Sequence, residues 1–135
     1  MRIEALKTYL INVLNELNKE FKILNINFLA SDIDNFSIDK IPTKTLVETS
    51  ITGIVRRREV YNFRSRNNYG SEVASNLSNM GFWERFESKI YSNNEQGILP
   101  NGINEIKCLN CGSLQRADTH TCEMSIQIEI NYKED

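Results

Sequence analysis

Residues 119–132 carry the longest period-two pattern in the chain. His120, Cys122, Met124, Ile126, Ile128, Ile130 and Tyr132 share one phase, and Thr121, Glu123, Ser125, Gln127, Glu129 and Asn131 share the other. That alternation predicts a strand with one buried face and one wet face. A companion extended segment is expected at 105–111. A third is expected at 55–66, where Val60, Tyr61 and Phe63 suit a pleated surface. It ends in a turn over Asn67, Asn68, Tyr69 and Gly70.

Helical spacing dominates elsewhere. From Ser71 the apolar positions Val73, Leu77, Met80, Trp83, Phe86 and Ile90 fall three or four apart, which predicts one stripe on one helix face. Ser71 is the expected N-cap, and Glu72 sits where the positive end of the helix dipole favours an anion. Gly81 lowers helix propensity within the stripe, so a kink or a close packing contact is expected there. Residues 2–19 place Ile3, Leu6, Leu10, Val13 or Leu14, and Leu17 on one side of an N-terminal helix.

Between these helices the pattern is mixed. Residues 21–30 alternate as a strand, and 31–39, SDIDNFSID, reads as an acidic loop or arm. Pro42 biases Ile41 toward extended geometry, and 44–53 leans extended without a clear period. Residues 93–104, with two glycines, a proline and four asparagines, read as a loop. The expected architecture is therefore α+β. It is a mostly antiparallel β-sheet with an N-terminal helix and a long central helix packed on one face, all in a single domain over 1–135.

Composition narrows the function classes. A chain of 135 residues that is 40% hydrophobic can bury a core without disulfides or metal. A formal net charge of −2 argues against a phosphate backbone as the main partner. No apolar run has the length of a membrane span or the form of a signal peptide, so a cytoplasmic protein without a membrane partner is expected. Three cysteines fit reduced thiols better than a disulfide framework.

Candidate chemistry is sparse. Cys108, Cys111, His120 and Cys122 could close a Cys₃His zinc site if the chain turned tightly between Cys108 and Cys111. The competing reading makes Cys108 and Cys122 small core residues of neighbouring strands, and it is the one adopted: no metal and no cofactor. His120, in the apolar phase of its strand, reads as half-buried rather than as a general base. No phosphate-binding glycine loop, nucleophile elbow or HExxH motif is present, so no catalytic residue is assigned. Five of eight arginines, Arg56, Arg57, Arg58, Arg64 and Arg66, crowd into eleven residues. They could follow a phosphate backbone. The acidic arm with Asp32, Asp34 and Asp39 offers another use, in which one subunit's arginine strip meets its neighbour's carboxylates.

Three stretches carry a resemblance: FSIDKIPT (36–43), NNYGSEVASNLSNMGFWERFESKIYSNNEQGILP (67–100) and IQIEINY (126–132). Together with the arginine-rich strand they resemble small tail proteins of phages and prophages, the tail terminator or tail completion family, over residues 36–132. Members are sometimes mislabelled as chloramphenicol resistance or minor capsid proteins. The resemblance implies a non-enzymatic subunit forming a ring, expected as a hexamer, on the head-proximal end of a phage or phage-like contractile tail. Its implied partners are copies of itself, the tail tube protein, a sheath, and a head-completion or collar protein. Its implied location is the bacterial host cytoplasm during assembly and the particle afterwards. The alternative is a small zinc-knuckle or nucleic-acid-binding module.

Overall fold

The computed structural model describes residues 2–42, 46–49, 51–69, 73–118 and 120–134. The expected N-cap Ser71, its neighbour Glu72 and the turn residue Gly70 lie outside the described residues. In chain order the elements are α1 (Arg2–Glu16), β1 (Ile23–Ile26), β2 (Asn35–Ile41), β3 (Leu46–Thr49), β4 (Val55–Asn68), α2 (Val73–Gln96), β5 (Glu105–Cys108), β6 (Ser113–Ala117) and β7 (Thr121–Glu134).

Two 14-residue strands, β4 and β7, pair antiparallel along their whole length, from Val55 opposite Glu134 to Asn68 opposite Thr121. Each is flanked on its other side by two short strands laid end to end. Along β4, β2 occupies one half and β3 the other; along β7, β5 and β6 do the same. Strand β1 then lies outside β2 and runs parallel to it.

This corrects the expected fold class. The sheet is mixed rather than simply antiparallel, strand outweighs helix by 41% to 31% among the described residues, and the β4–β7 pair rather than a central helix is the framework. The parallel strand arises in the segment read as an acidic arm. Phe36 and Ile38 face the core there while Ser37 and Asp39 take the opposite phase, and Asn35 to Ile38 are all buried, so 35–41 is a strand. The eight-residue connection from β1 to β2 holds its reversal with two residues in the left-handed region, Asn27 (φ 57°) and Asp34 (φ 63°). Asparagine and aspartate tolerate that conformation best after glycine.

One continuous apolar core joins α1, α2 and one side of the sheet. Leu6, Leu10, Val13 and Leu14 come from α1, and Ile126, Ile128 and Ile130 come from β7. At its centre Phe36 stacks on Phe63 (5.1 Å between centroids), and Phe63 meets Trp83 edge-on at 5.8 Å. The helix ends follow from local chemistry. Asn18 (φ 55°) closes α1 with Lys19 N–H donating to Leu14 C=O at 2.9 Å. Gly97 (φ 72°) closes α2 with Ile98 N–H donating to Asn93 C=O at 2.8 Å, so the helix extends into the segment read as a loop.

The buried face of α2 differs from the expected stripe. Phe82, Trp83, Phe86, Ile90 and Asn93 point inward, whereas Leu77 is 65% and Met80 46% exposed. Met80 lines a small groove at the sheet rim with Leu114 and Met124, where apolar spacing alone does not produce burial. Gly81 makes neither a kink nor a close contact: the helix runs unbroken through it, and a β-carbon there would meet nothing within 4 Å. Gly81→Ala is therefore expected to raise the unfolding free energy by about 0.5–1 kcal/mol, read from the urea midpoint.

Candidate interaction face

Alternation along β4 sends Arg56, Arg58, Arg64 and Arg66 to the side of the sheet away from the helices and leaves Arg57 on the helix side, in register with Tyr132. The outer side is crossed by ion pairs. Arg64 sits between Ser37 of β2 and Ser125 of β7 in the ladder, and it reaches diagonally to a carboxylate on each flanking strand. Its Nε meets Asp39, and its Nη1 lies 2.7 Å from Glu123 Oε1. Burial works against the Arg64 charge, but Glu123 and Asp39 outweigh it and push its pKa up. Asp39 is held in turn by the Ser37 hydroxyl, which donates at 2.7 Å.

One turn of the ladder away, Arg58 Nη1 lies 3.2 Å from Glu129 Oε1, and the Asn131 amide donates to Glu129 Oε2 at 3.2 Å. Arg66 Nε donates to the Ala30 carbonyl at 2.9 Å and pins the β1–β2 connection. These arginines lie over the polar phase of β7 so closely that Glu123, Ser125 and Glu129 are buried on a sheet face that carries no helix. The expectation of one wet face on β7 is corrected accordingly.

The proposed charge partners thus divide. Arg64 and Asp39 meet within one chain. Asp34 works through its backbone, its N–H donating to Arg66 C=O at 2.8 Å and its C=O accepting from Lys22 N–H at 2.7 Å. Asp32, exposed in the same connection, accepts the Asn35 side-chain amide on its carbonyl at 2.9 Å. Arg56 is exposed, opposite Lys133. Glu123 and Glu129 were missed as partners. Their signal was present, because they share the polar phase of β7 that faces the polar phase of β4.

A second polar cluster closes the helix-side end of the sheet. Glu59 accepts the Tyr61 hydroxyl at 2.6 Å and lies 3.3 Å from Lys40 Nζ, while the Arg2 guanidinium stacks 3.6 Å over the Tyr132 ring. Burial raises the Glu59 pKa, but hydrogen bonds from Tyr61, Tyr132 and Lys40 together overcome it and leave the pKa lowered. A depressed carboxylate stabilises the fold above its unfolded pKa and loses that contribution as pH falls through the folded value. Tyr61→Phe is expected to cost about 1–3 kcal/mol at neutral pH. It should also flatten the fall in stability on the acid side of the usual glutamate range, as measured by urea unfolding across an acid pH series.

Cys108 and Cys122 do not converge. Cys108 pairs in register with Ile128, and Cys122 lies six positions along β7, about 20 Å away at strand rise. Burial pushes the Cys108 thiol up to about 12 and raises that of buried Cys122. His120 is exposed and precedes β7, which corrects its expected place in the apolar phase. Its N–H donates to Asp118 Oδ1 at 2.8 Å. Among the described residues, no group of three or more His, Cys, Asp or Glu is placed to hold a metal.

No family model and no curated protein matches this chain.

An open groove of about 660 Å³ between the end of α2 and β5 presents Glu87, Glu95 and Glu105. Lys107 in the same groove is paired with Glu105 at 3.4 Å. Among the described residues, no helix is long and apolar enough to cross a membrane. The outer sheet face, with its arginines and carboxylates paired across three strands, is the arrangement best suited to a partner. On this polar surface Arg58 and Arg64 are already paired with carboxylates of the same chain.

Proposed function

We propose that this chain is a non-catalytic assembly subunit, a tail terminator that forms a ring, expected as a hexamer, on the head-proximal end of a phage or phage-like contractile tail. Its partners in this reading are copies of itself, the tail tube protein, a sheath, and a head-completion or collar protein. It works in the host cytoplasm during assembly and in the particle thereafter. The observation that supports the reading best is the uncovered sheet face, where Arg64 bridges Asp39 and Glu123 and Arg58 holds Glu129. Buried, internally paired charges fix a surface without requiring a partner to supply counter-ions. A subunit that works by shape needs such a surface, and a phosphate-binding strip would leave its guanidinium groups uncommitted. The resemblance over residues 36–132 supplies the particular assembly.

Purification of particles from cells expressing the tagged chain tests this reading. The expected result is co-sedimentation with tails at a fixed subunit ratio. A chain found only in the soluble fraction, with tails of normal length and composition lacking it, would overturn the proposal.

A further inference from the structure

The two rims of the sheet lie at the same height. Following the ladder sideways, Leu24 is in register with Phe36, then Ser65, Met124 and Leu114; the adjacent row runs Asn25, Ser37, Arg64, Ser125 and Ser113. Strands β1 and β6 are therefore the opposite ends of one band across the sheet, with no displacement along the strand direction. Their directions are also fixed. β1 runs with β2, β2 against β4, β4 against β7 and β7 against β6, so β1 and β6 are antiparallel.

A second copy moved sideways in the same orientation consequently brings its β1 beside the first copy's β6 as an antiparallel pair. The shift along the strands is zero, and every helix layer stays on one side. Zero shift keeps successive copies from climbing along the strand direction, and the contact closes into a ring when the rotation from copy to copy divides a full turn.

The rims are suited to this pairing in two further ways. Among the described residues, no strand lies outside β1 or β6. Both expose apolar side chains, Ile23 (47%) and Ile26 (38%) on one and Leu114 (47%) on the other, with Met80 beside Leu114 in a small groove. Such an edge is a template for strand addition. The remaining strand on the β6 side is covered at its middle by α2. Asn94 of α2 accepts the Ile106 N–H on Oδ1 at 3.1 Å and donates its Nδ2 to the Ile106 carbonyl, capping the outward backbone groups of Ile106 in β5. The open edge is thus confined to the height at which β1 can meet it.

We propose that a second copy of this chain docks by adding its β1 to β6, in the register that sets Leu24 beside Leu114 and Asn25 beside Ser113, and that this contact propagates head to tail into a closed ring. The inference rests on the ring reading above and specifies its interface. In a Cys111→Ser background, the double variant Asn25→Cys/Ser113→Cys places two thiols on the outer face in one row of the new pair. Mild oxidation followed by denaturing electrophoresis is expected to give a ladder rising to the full ring in the double variant and nothing beyond a dimer in either single. Ile26→Lys is expected to weaken association of the otherwise unaltered chain by about tenfold or more, with native mass spectrometry as the readout. An oligomer by native mass spectrometry without the double-specific ladder would overturn the edge pairing while leaving the ring reading intact. A monomer at every concentration reached would overturn both.

Discussion

Trp83→Ala is expected to lower the unfolding free energy by about 3–5 kcal/mol, the usual cost of removing a fully buried large aromatic. The indole is 1% exposed and touches Phe63, Phe82 and Phe86 at centroid distances of 5.8, 5.1 and 5.6 Å. Its flank is closed by Gly112, in the loop between β5 and β6. A β-carbon at Gly112 would lie 2.7 Å from Trp83 Cδ2 and closer still to Cγ, so the loop lies against the indole only because glycine has no side chain. Gly112→Ala should itself cost about 1–3 kcal/mol through overpacking. The two changes share one space, and their combination should destabilise by less than the sum, since Trp83→Ala removes the Cγ and Cδ2 clashes and leaves only the contact with the retained Cβ at 2.5 Å. Urea unfolding of the two singles and the double checks this, and strict additivity would contradict the packing described.

Arg64→Met is expected to cost about 3 kcal/mol, because it leaves Asp39 and Glu123 facing the same gap without the cation between them. Arg64 is only 24% exposed and Glu123 11%, so water screens this site far less than an ordinary surface pair. Adding Glu123→Gln to Arg64→Met removes one of the stranded charges and should recover part of the loss, with a coupling of about 1–3 kcal/mol. Independent effects of the two substitutions would show that the outer face is not held by this network.

Legibility of the fold followed burial on one side only. The apolar phase of 122–132 and the heptad-like spacing of Leu6, Leu10, Val13 and Leu14 are read directly, because each face meets a single environment. Strand β2 was hidden because Asp32, Asp34 and Asp39 make its neighbourhood look solvated, although Asp39 is sheltered by Arg64 and Phe36 and Ile38 are buried beneath it. Its parallel neighbour β1 depends on two left-handed residues, Asn27 and Asp34, whose backbone choice local composition does not dictate. Strand β6 was passed over because all five of its residues are exposed, leaving no hydrophobic phase to read. The exposure of Leu77 and Met80 depends on which part of the helix the sheet covers, which helical periodicity does not report.

The candidate face was half legible. The run of five arginines marks β4 as the charged strand, while Val60 shares the outer phase with Arg58 and Arg64 and only Tyr61 and Phe63 take the core phase. The partners required the β4–β7 register, which sets Arg66 opposite Glu123 and Arg58 opposite Asn131 and so brings Glu123 and Glu129 into diagonal reach. Asp39 was named from composition as a carboxylate for a neighbouring subunit, and the chain uses it on its own Arg64.

Electron-microscopic imaging of the purified chain tests most directly whether this protein acts through surfaces offered to its own copies. The account predicts closed rings of one size, with the helices on one wall and the arginine–carboxylate sheet face on the other. A population of single subunits, or open filaments of indefinite length, would contradict it.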